Sequence, residues 1–309
     1  QMQGSLSATQ DQIAWVVTFN IVATAVVTPM SGWLAGRFGQ RNLVIASVVL
    51  FALASLACGL ATSLESLIAF RIMQGGFGAP LVPISQAIVL QTYPKAQHGS
   101  ATAIFGMGVV MGPIFGPVAG GYLSEMYNWR WVFFMILPFT VVALIGAWLF
   151  IHDVAQRSRA RLDWTGLLAL TVSLSCLQLM LDRGERLGWF ESWEVIAYAV
   201  VCLTAFYFFI AHCMTTDAPF LPLGLLANRN YVVGLLTVLV FGMLNFTPMT
   251  LLPALLQNLG GHPDSIIGFI LGARGLGTLT GFFLMFYLSH LEPRVLLATG
   301  FLIQAVAGW

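Results

Sequence analysis

An all-α polytopic membrane protein is the fold class that three features of this sequence predict. Of its 309 residues, 58% are hydrophobic and 8% charged, against about 25% charged in soluble domains. Mean hydropathy is +0.86. Apolar stretches near the roughly 20 residues needed to cross a bilayer recur ten times, the last cut short at Trp309. They lie at about 13–35, 43–62, 67–91, 99–122, 131–151, 164–181, 194–213, 231–253, 265–288 and 294–309. Hydrocarbon offers no water to the backbone, so each stretch must satisfy its amides internally, as a helix.

The loops between these stretches carry nearly all the charge, and their signs orient the chain. One alternate set holds Arg37, Arg41, Lys95, Arg157, Arg159, Arg161, Arg229 and Arg294; the other holds only Arg130, Arg183 and Arg186. Basic loops stay in the cytoplasm. The 36–42 turn is therefore expected inside and residues 1–12 outside. An external start without a signal sequence, no initiator Met, and an end inside an apolar run predict a fragment of a longer protein. The polar, basic segment His152–Asp163 and the connection 215–230 are the best internal boundaries. They divide the chain into an N-terminal bundle (1–151), a linker with two inserted spans (152–218) and the start of a C-terminal bundle (219–309).

Composition excludes several functions. A net charge of +1 with no basic run gives nothing for nucleic acid to hold. Cys58, Cys176, Cys202 and Cys213 sit in or beside apolar segments and read as small core residues. There is no zinc-helix motif, no phosphate-binding Gly loop after a strand and no nucleophile–base set, so no enzyme, metal or cofactor is expected.

Three motifs stand out. In the first, glycine recurs at 108, 112, 116 and 120, followed by Gly121, with prolines at 113 and 117. Gly and Pro are the worst interior residues for a helix in water. In a membrane the four-residue step lays small residues on one stripe, where another helix can approach closely, and each proline removes an internal hydrogen bond and bends the rod. A bent helix with one smooth face is predicted. The second motif is the turn Gly32-Trp33-Leu34-Ala35-Gly36-Arg37-Phe38-Gly39-Gln40-Arg41. Gly39 supplies a tight bend, and Arg37 and Arg41 are placed to cap helix carbonyls or meet a carboxylate; the simpler reading is a loop that sets topology. The third puts Arg71 and Gln74 three apart on one helix face, followed by Gly75. An intramembrane arginine is costly and marks a functional site facing a cavity or partner, unless it snorkels to the outer interface. Arg274, between Gly272 and Gly275, is a weaker instance and a possible cavity charge. No span carries a carboxylate near its middle.

Together these motifs resemble the major facilitator superfamily, and within it the fourteen-span drug:proton antiporter family of the EmrB/QacA type. The 32–41 turn resembles the superfamily's motif A, the Arg71–Gln74–Gly75 segment its motif B, and the 108–121 helix its motif C, the antiporter motif. Trp129-Arg130-Trp131-Val132-Phe133-Phe134 is similar to the family's entry into its sixth span, and 179–190, with Asp182 and Arg183, to the outer loop between the two extra spans. Motif A departs from the family at Gly36, where Asp is usual, so glycine replaces the acidic neighbour of Arg41.

The resemblance implies a major facilitator fold, with about ten spans present of fourteen, in the inner or plasma membrane. It implies secondary export of amphipathic compounds in exchange for protons, driven by the proton gradient with no cofactor. In double-membrane bacteria it permits a periplasmic adaptor and an outer-membrane channel as partners. Motif C would seal the interface between bundles, Arg71 would tune a carboxylate supplied by the first span, and Phe and Met side chains would line an adaptable wall. Export of a metabolite, siderophore or lipid-like compound on the same fold, and an inactive truncated chain, are the alternatives.

Overall fold

A computed structural model of the chain describes residues 2–6, 8–152, 162–216, 219, 221–261, 263–288 and 291–307. The expected basic cluster Arg157, Arg159 and Arg161 lies outside the described residues. The described residues form helices α1 (Met2–Leu6), α2 (Gln10–Val27), α3 (Ser31–Phe38), α4 (Gln40–Leu60), α5 (Leu64–Gly78), α6 (Leu81–Thr92) and α7 (His98–Met126). They continue with α8 (Trp131–Phe134), α9 (Ile136–Phe150), α10 (Trp164–Arg183), α11 (Trp193–Thr215), α12 (Arg229–Asn258), α13 (Asp264–Leu288) and α14 (Pro293–Ala307). Among the described residues, nine helical segments are long and apolar enough to cross a membrane. The expected tenth is the 15-residue apolar helix α14.

Local chemistry sets the helix ends. Thr9 and Gln12 form a reciprocal capping box at the start of α2: Gln12 N donates to Thr9 Oγ1 at 3.4 Å and Thr9 N to Gln12 Oε1 at 2.9 Å. Ser63 and Ser66 do the same for α5. Asp163 caps α10 by accepting from Gly166 N at 2.9 Å. Gly39, at φ 87°, separates α3 from α4 with a backbone conformation that side-chain-bearing residues avoid. Pro113 and Pro117 lie inside α7, which runs through both without interruption for 29 residues. The 215–230 connection contains a short 3₁₀ turn, Leu223–Ala227.

The chain gathers into two compact units, 1–84 with 127–255, and 85–126 with 256–309. In the first unit Val16, Cys58, Ala61, Leu64, Leu67, Trp129 and Phe133 form a buried cluster that joins α2, α4, α5 and α8. The inserted pair, α10 and α11, packs side by side, and α10 also leans on α2. In the second unit α7 packs along α13. The described side chains of α12 are all at least partly exposed.

Glycine sets the spacing of α5 against α2. A Cβ at Gly75 would strike the carbonyl oxygen of Asn20 and crowd Thr24 Oγ1, whereas one at Gly59 would strike only the ring of Phe134. A ring can swing aside and a helix carbonyl cannot. Gly75→Ala is therefore expected to cost about 1–3 kcal/mol as an overpacking change and to lower the melting temperature in detergent more than Gly59→Ala. Equal shifts would contradict this packing.

Candidate functional site

The polar side chains inside the first unit converge on α5. Arg71 lies two helical turns past the start of α5, and its Nη1 donates to Gln74 Oε1 at 3.0 Å. Gln74, 3% exposed, passes the chain on: its Nε2 donates to Ser55 Oγ of α4 at 2.7 Å, and Ser55 Oγ donates to Phe51 O at 2.8 Å. The guanidinium carbon stands 4.6 Å from the centre of the Phe133 ring, a cation–π contact. Phe133 in turn meets Trp129 edge to face, and Trp129 Nε1 donates to Ser5 Oγ at 2.7 Å.

From the other side, α2 reaches the backbone of the same helix. Asn20 Nδ2 donates to Arg71 O at 2.9 Å. Thr24 Oγ1 lies 2.9 Å from Asn20 O and 3.3 Å from Gly75 O, and its one proton is shared between them. Gly75 permits this approach. Arg71 is thus held by three helices and an aromatic ring, yet its Nε is buried with no hydrogen-bond partner among the described residues. Among the described residues no carboxylate forms an ion pair with it. A buried cation with neutral partners leaves its charge uncompensated, which is costly in a low-dielectric setting. Such a group favours a negative charge nearby and steers the protonation of any carboxylate that approaches.

The turn at 32–41 does something different. Arg41 Nη2 donates to Trp148 O, in the last turn of α9, at 2.9 Å. A cation at a helix C-terminus meets both the exposed carbonyls and the negative end of the helix dipole. Arg37 stays local, 5.7 Å from the Trp33 ring centre. Gly32 faces open space. The turn therefore clamps α4 to the end of α9 through a backbone carbonyl.

The glycine–proline helix α7 contacts its neighbour through a face other than its glycine stripe. Among the described residues, and apart from the helix's own backbone, no atom lies within 4 Å of where a Cβ would stand on Gly108, Gly112 or Gly116. Its contact with α13 runs through Ile114, Pro117 and Val118, and the glycines that make room belong to α13. A Cβ on Gly268 would strike the Pro117 carbonyl, one on Gly272 the Val118 side chain, and one on Gly275 the Ile114 side chain. Residues 114, 117 and 118 share a helix face by i, i+3, i+4 spacing, and 268, 272 and 275 share the opposing one. Near the other end the relation reverses, with Gly106 of α7 making room for Phe282 of α13. Gly120 and Gly121 are half-buried in the following turn, and Pro113 is exposed. Arg274 is half-buried on α13 beside this groove.

The last two predicted positions, Asp182 and Arg183, close α10. Asp182 Oδ2 accepts from Thr18 Oγ1 of α2 at 2.9 Å, and Arg183 Nη1 pairs with Glu194 Oε1 of α11. Sequence reasoning missed Ser55, Asn20, Thr18 and Glu194. Asn20 and Ser55 were legible only as polar residues in apolar spans.

Long apolar helices, a buried polar chain across three of them, and a glycine groove between two others define a polytopic helical membrane protein. A family model described as Major Facilitator Superfamily matches residues 1–309. The chain belongs to that superfamily and is a multi-pass membrane protein. It is 40% identical over 266 residues to the multidrug export protein EmrB of Escherichia coli K12, covering 86% of this chain and 52% of that protein. It is 34% identical to EmrB of Haemophilus influenzae, covering 98% of this chain and 60% of the relative. The fatty acid resistance protein FarB of Neisseria gonorrhoeae is 35% identical over 309 residues, with the same 98% and 60% covered. The chain spans about half to three-fifths of the length of these curated relatives.

If Gln74 organises the buried cation, Gln74→Leu strands Arg71 Nη1 and leaves Ser55 Oγ with only its own bond to Phe51 O. Loss of a hydrogen bond to a charged group costs about 1.5–3 kcal/mol. In a double-mutant cycle with Ser55→Ala in detergent unfolding, the two losses are expected to be strongly non-additive. Simple additivity would contradict the chain of bonds.

Proposed function

We propose that this chain is the greater part of a proton-coupled secondary exporter of amphipathic compounds, working by alternating access across the cell membrane. The observation that carries the reading is the α7–α13 contact, in which side chains of a proline-bearing helix sit in a glycine groove. Such a contact is close, and at Gly268, Gly272 and Gly275 the groove side carries no side chain. One helix can slide or rock on the other at little cost, while backbone proximity still excludes water and ions. A static scaffold gains nothing from placing two prolines and a row of glycines there.

Arg71 supplies the coupling element in this scheme. Its uncompensated charge stabilises the ionised form of a carboxylate brought near Nε, and that carboxylate releases its proton on one side and regains it on the other. The proton gradient is the only energy source required, with no cofactor. The relatives named multidrug export proteins support amphipathic drugs as cargo. The relative named for fatty acid resistance favours a second reading, a lipid-like cargo on the same fold. In a double-membrane cell the partners would be a periplasmic adaptor and an outer-membrane channel.

The test uses the full-length protein in liposomes with an imposed pH gradient and two probes, an amphipathic fluorescent cation and a long-chain fatty acid. Gradient-dependent movement of either is expected, and which one moves chooses between the two cargoes. Arg71→Ala is expected to abolish the gradient dependence while cargo binding persists, and Gly272→Leu to abolish transport by filling the groove. Transport that ignores the gradient, or full coupling in Arg71→Ala, would overturn the proposal.

A further inference from the structure

Asp182 and Arg183 are adjacent, so on a helix their side chains leave about 100° apart, and they tie α10 to two different neighbours. Arg183 Nη1 pairs with Glu194 Oε1 of α11, which also accepts from Tyr198 OH at 2.8 Å. Midway along the pair Ser173 Oγ donates to Cys202 O at 3.2 Å. At the opposite end His212 Nε2 lies 2.8 Å from Asp163 Oδ1, the same side chain that caps α10. Polar bonds at three levels clasp α10 and α11 into one hairpin.

Asp182 does something else. It reaches across to α2, where its Oδ2 accepts from Thr18 Oγ1 at 2.9 Å, joining residues 164 positions apart. Thr18 is only 2% exposed. It lies six residues past Gln12, where the apolar span begins, and is therefore about 9 Å inside it at 1.5 Å per residue. Breaking this bond strands a buried hydroxyl and takes a donor from a half-buried carboxylate. The inserted hairpin is therefore not held to α2 by apolar contact alone, which lipid would replace without loss.

From this geometry we infer that Thr18 and Asp182 are positioning residues that fasten the inserted hairpin to α2, so that the hairpin and the first unit's helices move as one body during transport. The inserted spans act as a brace on that body and take no part in the sliding contact. The inference rests on the alternating-access reading above.

Spin labels test it in the full-length protein, with Thr18 and Asp182 intact. Val17 of α2 and Leu181 of α10, 54% and 53% exposed, are neighbours of the bonded pair and open to labelling. Their interspin distance is expected to stay single-valued with cargo, without cargo, and at both extremes of pH used to drive transport. A second distance population appearing with cargo or pH would overturn the brace. In parallel, Thr18→Cys with Asp182→Cys, in a full-length protein whose native cysteines, Cys58, Cys176, Cys202 and Cys213 among them, are replaced by alanine, is bridged by a short bis-thiosulfonate. The bridged protein is expected to transport as well as its unbridged form. Transport lost on bridging and restored by reductant would overturn the proposal, as would failure of the bridge to form in the folded protein. If the parent protein transports nothing, the transport reading fails, while the spin-label distance still decides the brace.

Discussion

Both units depend on one physical device: a glycine placed where a neighbouring helix backbone must come close. Between lipid-embedded helices the hydrophobic effect offers no preference for protein over acyl chain, so packing and backbone polar contact decide which helices associate. Gly75 lets the Asn20 carbonyl of α2 lie against α5, and Gly268 lets the Pro117 carbonyl of α7 lie against α13. In each case a Cβ on the glycine would strike the carbonyl oxygen. Such close approach brings ordinary side-chain bonds within reach.

The same device serves opposite ends in the two units. At Gly75 the close approach is locked by polar side chains, Asn20 to Arg71 O and Thr24 to Gly75 O. That approach also delivers α4, through Ser55, to Gln74 and so to the guanidinium. The buried arginine is affordable because every helix around it contributes a polar atom or a ring. Along the α13 groove the opposing atoms are Ile114, Val118 and a carbonyl. In the proposed exporter the first contact stays fixed and the second is the one that slides. A carrier that rocks about a fixed site needs both kinds.

Much of this was legible in the sequence, and the misses have physical reasons. Span number and position follow from length and hydropathy, because the bilayer imposes both; the short α14 marks where that signal ends. The break at Gly39 and the shared face of Arg71 and Gln74 follow from backbone freedom and helical period. What periodicity does not reveal is which neighbour a face meets. The glycine stripe of α7 is as regular as that of α13, yet Gly108, Gly112 and Gly116 face open space while Gly268, Gly272 and Gly275 form the groove. The partners of Asp182, Arg41 and Gln74 were equally hidden, since Thr18, Trp148 and Ser55 are joined to them by folding and not by spacing.

The central claim is that the α7–α13 contact moves while the α2–α5 contact does not. Double electron–electron resonance on the full-length protein, with one label on exposed Tyr122 of α7 and one on exposed Ile266 of α13, tests it directly. Two distance populations whose ratio shifts with pH and with cargo are predicted. A single distance unchanged by either would contradict the account.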